Sequence, residues 1–379
     1  MLKNIEHKDA KIYLDKFYEQ INRSSTENIF MKQLINSGIE CFTNPYNVSW
    51  EITAACNLRC KHCCFSNQDY NADNDVSTEV ALRFVNELVD SDLVKIMITG
   101  GEPFLRKDLF KIIEILKTKN TIIELTTNAI VINEDIVQNL VKHFNLKFDY
   151  IQVSLDGADL QTHEQTRGKD SFLKTIKGIK LLIKSGINVT INCVVTKNNY
   201  HQMIELYNLA QKLGVSLITF SRIHTEDKNL LPDINLLFKE TIKLLKQESK
   251  KLPINLRLFT IPELITNDTF KDLFDDDFIK IQNYICHRGE KLHIRKDGEV
   301  FLCLYASTKN ICSLGNINKD SLQKILKRRK TNPLFKKRIL KNTKCNICKA
   351  QYYCKAGCPV SAFVKFNNIN LPDPNCEII

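Results

Sequence analysis

The sequence predicts an α/β chain: a (β/α)6 partial barrel followed by a C-terminal cysteine-rich segment. From Val48 to Phe220, apolar strand-like runs alternate with helical patterns, the mark of repeated βα units and a parallel sheet. The candidate motifs fall at the C-terminal ends of those runs, where such folds gather ligands. From Cys286 onward, 94 residues hold eight of the chain's 14 cysteines, a density that packing does not require.

At 379 residues the chain has room for one large α/β domain and a smaller appendage. Its net charge is +11, and much of the excess lies in Lys319 to Lys344, where eleven basic residues face one acid, Asp320. That stretch is a solvated helical surface; alone it names no partner, and no nucleic acid is expected. Met1-Leu2-Lys3-Asn4 lacks the apolar core of a signal peptide, so many cysteines argue for metal ligation in a reducing compartment. No run approaches the roughly 18 apolar residues of a membrane helix. A cytoplasmic protein with no membrane attachment is expected.

Residues 1–46 form an N-terminal segment with two short amphipathic helices, about Lys8 to Asn22 and Thr26 to Ser37, ended by Thr43-Asn44-Pro45. The barrel core spans 47–225. Its strands are expected at Val48 to Thr53, Val94 to Thr99, Ile122 to Thr127, Tyr150 to Leu155, Asn188 to Val195 and Leu217 to Ser221. Helices between them include Ser77 to Asp90, Ser171 to Ser185 and Tyr200 to Leu213. A bridging region, 226–284, holds a helix from about Asn235, a strand Ile254 to Phe259 and a further helical piece; its acidic run Asp275 to Asp277 reads as a solvated helix start. The cysteine-rich domain occupies 285–379.

The first strand runs into a loop with Cys56, Cys60, Cys63 and Cys64. Three of them fit C-x3-C-x2-C, which a tight loop can converge on one centre. Thiolates select zinc, copper(I) or iron-sulfur clusters. A four-iron cube normally takes four cysteines, so a three-cysteine loop leaves one iron open for chemistry. On spacing alone, a zinc loop, redox thiols or core cysteines stay open.

Cys56-Asn57-Leu58-Arg59-Cys60-Lys61-His62-Cys63 resembles the cluster loop of radical S-adenosylmethionine (SAM) enzymes, with His62 where that family carries a ring beside its third cysteine. Thr99-Gly100-Gly101-Glu102-Pro103 is similar to the family's segment that holds the amino group of the SAM methionine. Its glycines permit close backbone approach, and Glu102 can accept a charge-assisted hydrogen bond from an ammonium. The resemblance further implies Arg167 at the methionine carboxylate and Ser154, in Ser154-Leu155-Asp156-Gly157, at the ribose; a turn and a surface arginine are the plainer alternative. Asn128 and Thr196, after the third and fifth strands, are weaker candidates for SAM contact. Asp159 and His163 read as capping or packing residues.

The second array, Cys286-x11-Gly298-x4-Cys303, then Cys345-x2-Cys348-x5-Cys354-x3-Cys358 and Cys376, resembles the seven-cysteine SPASM domain of radical SAM enzymes. Lys291 to Cys303 reads as a hairpin turning at Lys296-Asp297-Gly298-Glu299, which brings Cys286 near Cys303. Carried over by position, the resemblance assigns one auxiliary [4Fe-4S] cluster to Cys286, Cys303 and Cys358, and another to Cys345, Cys348, Cys354 and Cys376. The first lacks a fourth motif cysteine; its open iron faces substrate or takes Cys312. Zinc-ribbon geometry is the plainer alternative for this region.

The family's fold is a partial TIM barrel, here expected to be closed below by the SPASM domain. The implied chemistry is reductive cleavage of SAM to a 5'-deoxyadenosyl radical that abstracts a hydrogen atom from the substrate. Relatives with this domain pair install thioether or carbon-carbon crosslinks, epimerise residues, or oxidise a sulfatase residue to formylglycine. Sulfatase-maturing relatives carry an acid/base aspartate directly after the second SPASM cysteine, whereas Cys303 is followed by Leu304. The favoured reading is therefore a maturase of a ribosomally made peptide, with a flavodoxin or ferredoxin as electron donor. The alternatives are a cofactor or haem-pathway enzyme, an electron carrier and a zinc module. If the reaction is epimerisation, Cys64, Cys193 and Cys312 are candidates for the thiol that returns a hydrogen atom, Cys193 because it lies in the fifth strand near the expected barrel mouth; packing is the plainer role for each.

Overall fold

In the computed structural model the described residues are 47–64, 70–119, 121–223, 227–233, parts of 236–244, 255–259, 279–282, 291–335, 338–340, 343–348, 356–374 and 376. The expected N-terminal helices, Asp275 to Asp277, Cys286 and Cys354 lie outside them.

Six strands follow the predicted order: β1 (Asn47–Glu51), β2 (Lys95–Thr99), β3 (Ile122–Thr127), β4 (Tyr150–Ser154), β5 (Asn188–Val195) and β6 (Leu217–Arg222). Two more extend them, the expected β7 (Asn255–Phe259) and β8 (Ile279–Gln282), where the sequence suggested a helical piece. All eight pair in parallel and in sequential order. The crossovers carry α1 (Thr78–Asp90), α2 (Leu109–Leu116), α3 (Glu134–His143), α4 (Leu160–Arg167) with α5 (Phe172–Lys184), and α6 (Met203–Leu213). Ser77 starts α1 by accepting from Val80 N, and Asn133 starts α3 by accepting from Ile136 N, so both helices begin at side-chain caps.

Side-chain alternation gives each strand two chemistries. One face carries Val48, Trp50, Ile96, Ile98, Ile123, Leu125, Ile151, Val153, Ile191, Ile218 and Phe220, all buried in the main core with helix residues such as Phe84, Ile112 and Leu182. Trp50 meets Phe84 edge to face at 6.4 Å. The other face is polar. On it, Glu124 accepts from Tyr150 Oη at 2.7 Å and Gln152 Nε2 at 3.0 Å and pairs with Lys95 Nζ at 2.8 Å. The polar face looks into the barrel, because Glu51, Thr99, Thr126, Ser154 and Asn192 share its parity and line one cavity.

The C-terminal domain supplies β9 (Lys291–Ile294), β10 (Glu299–Phe301), β11 (Gly315–Asn316), α7 (Leu304–Thr308), α8 (Leu322–Arg329) and α9 (Pro359–Phe366). The predicted hairpin forms, with Gly298 at φ +86° in its turn. Instead of closing the barrel from below, it extends the sheet: β9 pairs in parallel with β1, giving the order β11-β10-β9-β1-β2-β3-β4-β5-β6-β7-β8. A strand edge with unpaired N–H and C=O groups is satisfied this way. In α8, Arg328 pairs with Asp320 at 2.5 Å and Arg329 is buried, while Lys324, Lys327 and Lys330 are exposed.

Candidate active site

The cavity at the C-terminal ends of the strands has a volume of about 240 Å³. Cys56, Cys60 and Cys63 all line it, so the loop after β1 delivers three thiols to one place. Asp75 straps the start of that loop: Thr53 Oγ1 donates to its Oδ2 at 2.5 Å and Ala54 N to its Oδ1 at 2.8 Å. Leu58 N donates to Cys56 Sγ at 3.5 Å, and the Arg59 guanidinium stacks 3.8 Å from the Tyr70 ring. Burial pushes the Cys60 thiol up to about 11, with Asp156, Cys63 and Cys56 adding to the rise and Arg167 opposing it. Burial also raises Cys56, and Cys63 adds to that rise. Thiols that feel one another around one cavity, with Arg167 at hand, are the donor set a cationic iron-sulfur centre needs.

Gly100 and Gly101 bring the end of β2 against that loop. Gly101 N donates to Thr53 O and Glu102 N to Ala55 O, both at 2.7 Å. A Cβ on Gly101 would lie 2.1 Å from Ala55 O, so the close approach itself requires glycine. Both glycines line the cavity. Glu102 does not: its side chain is fully buried, accepting from Thr127 Oγ1 at 2.7 Å, Asn128 N at 2.9 Å and Phe104 N at 3.4 Å. Burial pushes its carboxyl up to about 7, those three bonds opposing. The expected ammonium acceptor is thus an internal brace between the ends of β2 and β3.

Arg167 and Ser154 line the cavity with Asn128 and His62. Arg167 ends α4 and gives Nε to Asp156 Oδ2 at 2.6 Å. It is buried, not the surface arginine of the plainer alternative. Asp156 also accepts from Val194 N at 2.9 Å, and His62 Nε2 lies 3.4 Å from its Oδ2. Burial alone would raise Asp156; the Arg167 charge, with the bond from Val194 N, opposes it, leaving the carboxyl below its ordinary value. Burial lowers His62 to about 4, so its imidazole is neutral. Asn128 spans two loops, giving Nδ2 to Asn57 Oδ1 at 2.7 Å and taking Ile130 N at 3.0 Å. Thr196 lies apart from the cavity lining: it is fully buried, bonding Asn199 and Asn198 in the turn after β5. Asp159 caps α4 by accepting from Thr162 N, and His163 accepts from Asp156 N through Nδ1, as capping and packing residues should.

Cys193 does not reach the cavity. Its neighbours Asn192 and Val194 line it, so period two turns the thiol outward into the main core, where burial pushes it well up. Cys64 lines the cavity; Cys312 packs instead on a small core of Phe301, Ala306, Leu334, Val360 and Ile369. Cys303 and Cys358 pack there too, and burial lifts Cys303 to about 11 with help from Cys358. Cys345 is raised by burial and then by Cys376 and Cys348. Among the described residues, Cys303 and Cys358 thus share one small core with Cys312, while Cys345 feels Cys348 and Cys376. Arg338 orders the loop before Cys358, donating to the carbonyls of Ile369, Gly357 and Leu371.

Motif spacing missed Asp75, Asp156, Thr127 and Glu51. Only Asp156 carried a signal, sitting inside Ser154-Leu155-Asp156-Gly157.

A parallel α/β barrel whose first loop gathers three thiols over a glycine-braced cavity, joined to a second thiol-rich domain, defines a cluster-dependent SAM enzyme. The chain belongs to the radical SAM enzymes with a SPASM domain: the Radical SAM superfamily model matches residues 50–210 and the SPASM iron-sulfur cluster-binding domain model matches 286–354. Its cofactors are SAM, a [4Fe-4S] cluster at the radical SAM site and auxiliary iron-sulfur clusters in the SPASM domain. The AdoMet-dependent heme synthase of Methanosarcina barkeri is 25% identical over 343 residues, covering 88% of this chain and 96% of the relative. The mycofactocin maturase MftC of Mycobacterium tuberculosis is 25% identical over 345 residues, covering 88% and 83%. Streptococcus suis SuiB bound to S-adenosylmethionine shares the fold with a TM-score of 0.71 at 20% identity, covering 98% of this chain and 88% of SuiB. SuiB has also been solved bound to its precursor peptide SuiA, with a TM-score of 0.70 at 20% identity, covering 95% of this chain and 82% of SuiB. Among the described residues no helix is long and apolar enough to cross a membrane.

Proposed function

We propose that this enzyme matures a ribosomally made peptide, by a thioether or carbon-carbon crosslink or by epimerisation, in the cytoplasm and with a flavodoxin or ferredoxin as electron donor. The observation that carries the proposal is one cavity bounded by both domains: barrel thiols and glycines on one side, Lys296 of the SPASM hairpin on the other. Kinship to MftC over most of the chain supports a peptide as substrate. Bound together, the cluster and SAM supply a 5'-deoxyadenosyl radical. Cys56, Cys60 and Cys63 would hold the cube. Gly100 and Gly101 would offer backbone to the methionine amino group, Arg167 its charge to the carboxylate, and Ser154 its hydroxyl to the ribose. His62 and Asn128 would complete the wall. Cys286, Cys303 and Cys358 would hold one auxiliary cluster, and Cys345, Cys348, Cys354 and Cys376 the other.

Matching coverage by the heme synthase favours one second reading, a haem-pathway substrate. Anaerobic reconstitution should give a brown protein with about twelve irons, from three four-iron cubes, that makes 5'-deoxyadenosine from SAM and dithionite. Co-expression with any short peptide encoded beside its gene, followed by mass spectrometry, should show a mass change in that peptide. A colourless zinc protein that leaves SAM intact refutes the enzyme. Modification of an iron porphyrin and of no peptide replaces the substrate.

A further inference from the structure

We propose that Glu51 is the base that takes the substrate's proton and that His293 is its positioning residue; the assignment rests on the crosslink-forming branch of the peptide reading above. Joining two groups of a peptide, or preparing a thiol to attack, removes a proton as well as a hydrogen atom. That proton needs a group in the cavity to receive it. Glu51 is the only carboxylate among the described residues that line the cavity. His62, the imidazole there, already faces Asp156.

The geometry around Glu51 is that of a held base. His293 Nε2 lies 2.6 Å from Glu51 Oε1, and both side chains are almost wholly buried. His293 Nδ1 lies 3.2 Å from Ser49 Oγ, its register partner across the β1–β9 pair. With the ring proton on Nε2, the imidazole donates to Glu51 and accepts from Ser49. Oε2 carries no hydrogen bond among the described residues and is left for the substrate. The other groups facing Glu51 are Arg295 beyond β9 and Cys64 in the cluster loop, while Lys296 lines the same cavity. The step balances as a proton transfer: a substrate X–H bond breaks, its electron pair stays on X, and an O–H bond forms on Glu51. No electron changes hands between them.

The test uses the reconstituted full-length enzyme and a perdeuterated form of the co-expressed peptide. Two quantities are read: deuterium in 5'-deoxyadenosine, which reports hydrogen abstraction, and modified peptide. Glu51→Gln should keep deuterium transfer within twofold while product falls about 100-fold or more, the usual size of a lost general base. Glu51→Asp should retain an intermediate yield, and His293→Gln should lose about tenfold in product with deuterium transfer intact. Should Glu51→Gln fail to load iron, His293→Gln carries the test alone. Wild-type product from Glu51→Gln, or parallel loss of deuterium transfer and product in both variants, overturns the assignment. If the wild type itself neither exchanges deuterium with a peptide nor modifies one, the substrate reading falls and takes this one with it.

Discussion

Replacing Asp156 by Asn leaves the buried Arg167 guanidinium without its counter-charge. The two groups lie 2.6 Å apart, with side chains 0% and 8% exposed, so neither can turn to water for compensation. The substituted side chain keeps an acceptor for Val194 N but turns a neutral amide toward a cation. Breaking a buried pair from one side costs about 3–5 kcal/mol, and that range is expected for Asp156→Asn and, separately, for Arg167→Met. Removing both should recover much of the loss, because the survivor's unpaired charge is what makes each single change costly. The double variant is therefore expected to fall at least about 2 kcal/mol short of the sum of the singles. Urea unfolding of the four proteins measures this cycle. SAM binding by equilibrium dialysis on reconstituted enzyme adds a functional arm: each variant without Arg167 should bind at least about tenfold more weakly, a loss of about 1.4 kcal/mol. Stabilities additive within about 0.5 kcal/mol would refute the coupling, and unchanged SAM affinity in Arg167→Met would refute the carboxylate role.

Gly101→Ala should destabilise by about 1–3 kcal/mol, the range for overpacking, since its Cβ would meet Ala55 O and Ala54 O at 2.1 and 2.6 Å and backbone cannot rotate aside. Calorimetric unfolding and SAM dialysis should both register it. Cys193→Ala should cost about 1–2 kcal/mol as a small core deletion and leave product stereochemistry untouched, as chiral amino-acid analysis can check. Burial raises Asp297, but the hydrogen bonds from Arg295 outweigh it and hold its carboxyl below the ordinary value. Its contribution to stability is thus present above the unfolded pKa of about 3.9 and lost as pH falls through the lower folded pKa. Asp297→Asn should flatten that acid limb of the unfolding midpoint.

The barrel was legible because its strands have two unlike faces: a run such as Val48-Ser49-Trp50-Glu51 alternates visibly, and helices such as α1 and α2 repeat the contrast at their own period. The cluster loop was legible because ligand spacing is local. Gly100 and Gly101 were legible for the same reason, as the contact they permit lies at the end of one strand. Glu102 was not. A carboxylate beside two glycines looks like a ligand until Thr127 and Asn128, one strand away, are seen to occupy both its oxygens. Turn hydrogen bonds draw Thr196 away from the cavity, and the parity of β5 sends Cys193 into the core, the packing role that was its plainer reading. The Glu51–His293 pair spans 242 residues and has no local signature. Nor has the pairing of β9 with β1, since any exposed parallel edge would have accepted that strand equally well on pattern alone.

That pairing bears on how the two domains work together. β1 leads into the cluster loop within five residues, and β9 leads through Arg295 to Lys296 at the cavity wall. Registered residue by residue, the two strands cannot slide without flipping His293 away from Glu51. Helix α1 and the residue before its cap add a second clamp: Val76 N donates to Lys296 O at 2.9 Å, Arg83 reaches Ile317 O, and Glu87 Oε2 receives Leu322 N at 2.6 Å. Parting the hairpin from β1 would have to break a strand ladder and these three ties at once. The hairpin and the start of α8 are therefore held against the barrel, and Lys296 stays at the cavity wall.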